Sequence, residues 1–172
     1  MDSSTNAVDS PRPARNYVFI ATRHPLRTVG LGCEPTQPAR WLLVRVLRGP
    51  SIRALHLRNQ VTDGKRAYLE AVLALCRHWR RGRALIGGDS NTGIAPPDGN
   101  TAAFRQFEQN WSTALGAQRW FELTRWLARA LRVSTYYSPK AGFGYRLAQT
   151  FAYRRLIRQI SGTKYHCAGP LD

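Results

Sequence analysis

Acidic residues are scarce in this sequence: its 172 residues include 10 Asp and Glu against 26 Lys and Arg, a formal net charge of +16. Lysine is scarce too, with three, so nearly all of the positive charge is arginine. Because a guanidinium group can bind two oxygens of one phosphate, this excess predicts a polyanionic partner, either nucleic acid or anionic lipid. The alternative explanation is an arginine-rich genome composition.

Cysteine is also rare. Cys33, Cys76 and Cys167 are odd in number, lie far apart and form no Cys-x-x-Cys pair. This excludes a disulfide scaffold and a standard zinc ribbon. No stretch approaches about 18 consecutive apolar residues, so the sequence predicts no transmembrane segment. The N-terminus lacks the apolar core of a signal peptide. We therefore expect a soluble, cytoplasmic protein.

Hydrophobic residues make up 43% of the chain, which is enough for one domain with a packed core. Residues 1–15 are rich in Ser, Asp, Asn and Pro, and we predict a disordered lead-in there, followed by one domain over residues 16–172. Strand patterns alternate with amphipathic helices, which predicts a mixed α/β domain of the α+β class. A Gly-Pro step at 49–50 predicts a hairpin. Strands are predicted over 17–22, 40–47, 51–57, 84–88, 133–137 and 145–152, and helices over 65–81, 103–115 and 120–131.

The sharpest local feature is the segment 85–92, Leu-Ile-Gly-Gly-Asp-Ser-Asn-Thr. An apolar strand here ends at Asp89 and Asn91. Residues two apart in an extended chain point to the same side, so we expect the carboxylate and the amide to face one pocket. An Asp can orient water or hold a hard cation, and an Asn can donate to a phosphate oxygen. Ordinary turn chemistry is the alternative for these two residues.

Segment 85–92 resembles the Gly-Asp-Phe-Asn motif of the endonuclease/exonuclease/phosphatase family, with Ser90 in place of Phe. The resemblance implies the fold of that family, here a partial four-layer α/β/β/α sandwich of the DNase I-like type. It extends from about residue 17 to residue 166, with the family's segments in the same order. The other three are Ile-Ala-Thr-Arg-His-Pro-Leu at 20–26, Ala-Leu-His-Leu at 54–57 and Gly-Tyr-Arg-Leu-Ala-Gln-Thr-Phe at 144–151.

The resemblance also implies a metal-dependent phosphodiesterase or nuclease that uses Mg²⁺ or Mn²⁺. Carried over residue by residue, it makes Asp89, Asn91 and His56 the catalytic residues. In this assignment Asp89 activates water and holds the metal, and Asn91 and His56 bind the scissile phosphate. Arg146 and Arg23 are the residues expected to contact substrate. For His56 the alternative is a core histidine.

Three departures from the family bear on activity. The family's opening strands, one bearing an Asn and one ending in a metal-holding Glu, should precede Tyr17, where the sequence predicts no strand. The acidic residue expected after Arg146-Leu147 is Ala148. The closing Ser-Asp-His is expected after Tyr165-His166 and is not found there. With these groups missing, we expect hydrolysis near background.

Three interpretations stay open from the sequence. The first is an impaired phosphodiesterase domain, and the second is an inactive scaffold that binds nucleic acid through its arginine surface. The third is a truncated reading frame or degenerate copy without a function of its own. The absence of the opening strands also predicts an exposed apolar face, through which a homodimer would form.

Overall fold

The computed structural model describes residues 6–9, 18–30, 38–57, 62–79, 82–100, 103–127 and 133–163. They form a mixed sheet with helices, which confirms the predicted α+β class. The ten strands of the described residues are β1 (Asn6–Asp9), β2 (Phe19–Thr22), β3 (Leu26–Thr28), β4 (Trp41–Val46), β5 (Ser51–His56), β6 (Ala84–Asp89), β7 (Trp120–Glu122), β8 (Tyr136–Ser138), β9 (Phe143–Tyr145) and β10 (Ala148–Tyr153). Their four α-helices are α1 (Asp63–His78), α2 (Gln106–Ala117), α3 (Leu123–Leu127) and α4 (Arg154–Ile157).

Six strands form the main sheet, in the order β3-β4-β5-β6-β10-β7. Strands β5 and β6 are parallel and α1 connects them, whereas the other neighbouring pairs are antiparallel. Strands β1 and β2 form a separate antiparallel pair, and β8 and β9 form a hairpin. Because parallel strands end at the same edge of a sheet, the carboxyl ends of β5 and β6 lie side by side.

Helices α1 and α2 cover one face of the main sheet. Leu55 of β5 and Ile86 of β6 belong to the same buried cluster as Val72 of α1 and Leu115 of α2. All four side chains are almost completely buried. Alternate residues of a strand point to opposite faces, so the residues next to Leu55 and Ile86 point away from these helices.

The other face of the sheet is covered in two separate places. Near β4 and β5, Leu42 and Val44 pack with Val18 and Ile20 from the β2 region. Near β6 and β10, α4 packs its apolar residues on the sheet in a third small cluster. The end of this face between the two clusters carries the polar residues described below.

Most of the predicted elements are confirmed with small shifts of their ends. The predicted helix 65–81 spans Asp63–His78, and the hydroxyl of Thr62 caps it by accepting from the Lys65 amide at 3.3 Å. The predicted hairpin joins β4 and β5, and Arg48 in its turn has a φ of 57°. The predicted strand 145–152 is divided between β9 and β10, and the predicted strand 133–137 moves to β8.

The helix predicted over 120–131 is wrong at its start. Arg119, with a φ of 68°, reverses the chain after α2, and β7 then pairs with β10. The Trp120 and Tyr153 rings lie 5.2 Å apart, and Trp120 is buried. Burial of this indole against β10 outweighs the helical spacing of the following leucines, so the helix is reduced to α3. Residues 128–131 lie outside the described residues.

Several short elements escape prediction from the sequence. No strand is predicted before Tyr17, yet β1 pairs with β2, with Asn6 opposite Thr22 and Asp9 opposite Phe19. Backbone hydrogen bonds make this pair, and a four-residue strand with two apolar residues offers little periodicity. The same reason applies to β3, β9 and α4. The remainder of the predicted lead-in lies outside the described residues.

Among the described helices, none combines the length and the apolar character needed to cross a membrane. The most exposed apolar side chains of the described residues include Phe19 at 54% and Leu47 at 63%. A homodimer through an apolar face and a cytoplasmic location stay predictions.

We expect the stability of the protein to fall with rising pH in the alkaline range because the thiol of Cys76 is buried. Burial raises the pKa of Cys76 to about 12 from its ordinary 9.0. An unfolded chain loses this proton at lower pH than the folded one, so the contribution of the thiol to stability is fully present below pH 9.0 and is lost as pH rises toward about 12. In urea unfolding at several alkaline pH values, we expect the free energy of unfolding to fall with pH. We expect Cys76→Ala to reduce the slope, and an unchanged slope would contradict the assignment.

Candidate active site

Three residues form a row across the carboxyl edge of the sheet. His56 ends β5 and is the register partner of Asp89, which ends β6. Ala148 begins β10 and is the register partner of Asp89 on its other side. The pairing Ile52–Leu85 lies four residues before His56 and Asp89, and the pairing Thr150–Gly87 lies two residues from Ala148 and Asp89. Ile52 and Leu85 pack on the face that α1 and α2 do not cover, and the even spacing places the whole row on that face.

His56 and Asp89 are close enough to act together. His56 Nε2 lies 3.9 Å from Asp89 Oδ2, and the side chains are 30% and 44% exposed. This distance is too long for a direct hydrogen bond. It allows a single ligand atom to contact both side chains, or an ion pair when the imidazole is protonated. The partial exposure leaves both groups within reach of a ligand from solvent.

Glycine is required just before Asp89. Gly88 has a φ of 134°, which L residues with a side chain rarely adopt. A Cβ at this position would collide with the carbonyl oxygen of Leu55. The absence of a side chain therefore lets β5 and β6 approach each other directly below the His56–Asp89 pair.

Asn91 does not continue β6 in an extended conformation, so the prediction that it faces the same pocket as Asp89 by its two-residue spacing is not met. Its φ is 44°, and its amide N donates to Asp89 Oδ1 at 3.0 Å, so the chain turns after β6. The side-chain Nδ2 donates to the Leu57 carbonyl at 2.8 Å, and the residue is 8% exposed. Asn91 thus holds together the loops that follow β5 and β6. Ser90, at the position of the family's Phe, is buried, and its hydroxyl donates to the Leu147 carbonyl at 2.8 Å.

A buried ion pair supports this turn from the helix side. Lys65 Nζ donates to Glu108 Oε1 at 2.5 Å and to the Asn91 carbonyl at 2.7 Å. The side chains of Lys65 and Glu108 are 1% and 2% exposed. Glu108 Oε2 also accepts from the Arg105 amide at 2.9 Å. The first turns of α1 and α2 are therefore tied to the loop that carries Asn91.

Arg146 has a different partner from the one predicted. Its Nε and Nη2 donate to Asp98 Oδ1 at 2.8 and 2.5 Å, and its Nη2 lies 3.5 Å from Glu122 Oε2. Arg125 pairs with the other Asp98 oxygen. Arg146 is 4% exposed and the Asp98 side chain is completely buried. The described contacts give Arg146 a structural role, and its contact with substrate stays a prediction.

Arg23 lies away from the His56–Asp89 edge. The Pro25 carbonyl accepts from the Leu47 amide at 3.0 Å, in the turn between β4 and β5. That turn is at the end of the sheet opposite to His56, because β4 and β5 are antiparallel neighbours. Arg23 follows β2 directly at the same end and is exposed. The structure therefore does not bring Arg23 together with His56, Asp89 and Asn91.

The described residues contain no group of three or more His, Cys, Asp and Glu side chains that could hold a metal ion. Asp89 offers one carboxylate beside one imidazole. The adjacent register position, where the family resemblance expects an acid, holds the methyl group of Ala148.

Sequence reasoning missed the charged residues that position the site. Asp98 lies in a loop with two prolines, and its partners come from α3 and from the residue directly after β9. In the sequence, Lys65 and Glu108 look like ordinary polar residues at the starts of two helices. One signal was present for these two residues: each is a charged residue next to the apolar stripe of its helix, on the side that faces the sheet.

Comparisons with known proteins identify the architecture. No protein-family model matches the chain, and no curated protein sequence matches it. An AP endonuclease from Archaeoglobus fulgidus superposes with a TM-score of 0.77 at 18% identity, covering 90% of this chain and 68% of that one. A 3'-5' exonuclease from Neisseria meningitidis gives 0.73 at 17%, covering 90% and 69%. The endonuclease domain of TRAS1, a telomere-specific non-LTR retrotransposon, gives 0.63 at 15%, covering 90% and 69%.

At these identities the likeness shows the fold. The chain has the DNase I-like endonuclease/exonuclease/phosphatase fold, as the resemblance in its sequence predicts.

Proposed function

We propose that this domain binds a phosphodiester of nucleic acid at the His56–Asp89–Ala148 row and hydrolyses it weakly at most. The observation that carries the proposal is the row itself. It keeps a carboxylate and an imidazole 3.9 Å apart on a nuclease scaffold and has a methyl group where the next acid is expected. The alternative is a binding module whose site a second carboxylate does not restore, for which Ala148→Asp would stay at background.

The roles of the retained residues follow from their exposure and contacts. The Asp89 carboxylate can accept a proton from a water molecule or orient it toward the phosphorus atom. The His56 imidazole, when protonated, can donate to a phosphate oxygen. Asn91 keeps one amide hydrogen beyond its bond to the Leu57 carbonyl, and its main role is to fix the position of Asp89.

A resident Mg²⁺ or Mn²⁺ ion fits these residues poorly. Hard cations take several oxygen ligands, and the described residues supply one carboxylate at this edge. The neighbouring Ala148 provides none. We attribute the expected weakness of hydrolysis to this position.

Nucleic acid is the favoured polymer for two reasons. The chain has a net charge of +16, and the β8–β9 hairpin carries Tyr136, Tyr137 and Phe143 at 50%, 61% and 38% exposure. The hydroxyl of Thr135, just before β8, accepts from the Ala148 amide at 3.0 Å, so the hairpin stands beside the row. Exposed aromatic rings next to a phosphate site can stack on bases. A neighbour in fold, a 3' phosphatase from Neisseria, is itself bound to a DNA hairpin.

Ala148→Asp tests the proposal directly. A second carboxylate beside Asp89 creates the oxygen-ligand pair that a divalent cation prefers. We expect wild-type hydrolysis of a labelled oligonucleotide near background and an increase in the variant of at least about tenfold with Mg²⁺. This is a lower bound, because loss of an outer-shell partner alone costs about 10–100-fold at metal sites.

The matched control is Ala148→Asn, which has the same size without the charge. Without metal, Ala148→Asp is expected to melt at a lower temperature than Ala148→Asn, since like charges on opposed strand residues repel. Mg²⁺ should raise the melting temperature of the Asp variant alone. Strong wild-type turnover that Asp89→Asn abolishes would contradict the impairment. If neither His56→Asn nor Asp89→Asn changes the affinity for the oligonucleotide, the phosphodiester does not bind at this row.

A further inference from the structure

A cluster of arginines surrounds a cavity at the end of the main sheet opposite to the His56–Asp89–Ala148 row. The cavity has a volume of about 600 Å³ and opens to solvent. Its charged lining consists of Arg83 directly before β6, Arg154 and Arg155 in α4, and Arg158 after α4. Arg83 and Asp89 are six residues apart along β6, which places the arginine cluster about 20 Å from the candidate active site.

Neutral groups hold the Arg83 side chain and the start of α4 in place. Arg83 Nη2 donates to the Arg48 carbonyl at 2.9 Å, and its Nη1 donates to Gln159 Oε1 at 3.4 Å. The Arg154 amide donates to the Arg119 carbonyl at 3.0 Å, which fixes the start of α4. The backbone therefore brings these guanidinium groups to one cavity without an acidic partner.

No carboxylate among the described residues pairs with Arg83, Arg154, Arg155 or Arg158. The ion pairs of the described acids go to His56, Lys65, Arg66, Arg125 and Arg146 instead. Four like charges around one cavity repel one another, and a bound polyanion relieves this repulsion. Guanidinium groups match phosphate oxygens in geometry as well as in charge.

We propose that the arginine cluster binds the sugar–phosphate backbone of nucleic acid as a second contact surface. A membrane surface fits less well, because interfacial binding needs apolar anchors and the described residues that line the cavity include no large apolar side chain. The inference rests on the proposed function only for the identity of the polymer. The cluster and the His56–Asp89 row are separate, so each can fail without the other.

The test is the salt dependence of binding to a labelled single-stranded oligonucleotide. The cluster variant is Arg155→Gln with Arg158→Gln, two exposed side chains. The matched control is Arg77→Gln with Arg105→Gln, which removes the same charge from exposed positions that do not line the cavity. Each phosphate contact contributes about 0.7 to the slope of log affinity against log salt for single strands, so we expect the cluster variant to lower the slope by about 1.4. The control slope should stay close to that of the wild type.

Several outcomes would overturn the proposal. Equal losses in both variants would mean that net charge alone binds the oligonucleotide. If the cluster variant loses binding to phosphatidylserine vesicles but keeps oligonucleotide binding, the surface recognises lipid. If inorganic pyrophosphate binds as tightly as the oligonucleotide at equal phosphate, the surface recognises small anions. Far-UV circular dichroism checks the fold of both variants. In a His56→Asn background, the two cluster substitutions are still expected to lower the slope of log affinity against log salt by about 1.4. If they no longer lower it, the arginine cluster and the His56–Asp89 row would belong to one site.

Discussion

Lys65→Met is expected to lower the free energy of unfolding by about 3–5 kcal/mol, because it leaves a buried carboxylate without its partner. The side chains of Lys65 and Glu108 are almost fully buried, and Lys65 Nζ lies 2.5 Å from Glu108 Oε1. Urea unfolding followed by circular dichroism measures the change. The ammonium group of Lys65 also holds the Asn91 carbonyl, so the variant should loosen the turn after Asp89 as well.

Two companion variants make this prediction specific. The double variant Lys65→Met with Glu108→Leu removes both charges and should recover most of the lost stability, since an apolar pair often replaces a buried ion pair without loss. Arg66→Met breaks the neighbouring Arg66–Glu70 pair, which is 64% and 65% exposed, and should change stability by less than about 1 kcal/mol. Equal losses for Lys65→Met and Arg66→Met would contradict the role assigned to Lys65.

Arg53→Met is expected to raise the free energy of unfolding by about 1–4 kcal/mol. Arg53 is completely buried in β5, and its three side-chain nitrogens have no hydrogen-bond partner among the described residues. Burial lowers the pKa of Arg53. The guanidinium carbon lies 4.1 Å above the Trp79 ring and 5.4 Å from that of Trp120, which offsets part of the cost of desolvation. Met fills similar space without a charge.

The matched control for Arg53→Met is Arg45→Met on the adjacent strand, an exposed position where we expect a change within about 0.5 kcal/mol. Arg53→Lys keeps the charge but loses the planar stacking on the two indoles, and it should destabilise the protein. A large destabilisation by Arg53→Met would show that the guanidinium group has an anionic partner in solution.

The sequence predicts the elements whose signal is local. The apolar spacing of α1, its Thr62 cap and the Gly-Pro hairpin are all visible within a few residues of chain. The pairing of His56 with Asp89 was reached through a family resemblance and a strand order, and the structure places the two side chains 3.9 Å apart. Their catalytic roles stay a proposal.

What the sequence could not give depends on distant partners. Trp120 lies in a strand because its ring packs against the ring of Tyr153. Arg146 is buried because its guanidinium group pairs with Asp98, which lies in a loop 48 residues earlier. Asn91 turns inward because its side-chain amide donates to the Leu57 carbonyl, 34 residues earlier. None of these contacts leaves a periodic trace in its own segment, so propensity and spacing alone favour a different conformation.

The row at the sheet edge also constrains the order in which the protein folds. Its three members come from β5, β6 and β10, and the last strand leaves the ribosome about 60 residues after the central one. Closing so long a loop costs chain entropy that the local β5–α1–β6 unit does not face. We therefore expect the His56–Asp89 pair to exist in a nascent chain before Ala148 arrives beside it. Synthesis itself would then expose this edge of β6 to other partners until β10 closes over it.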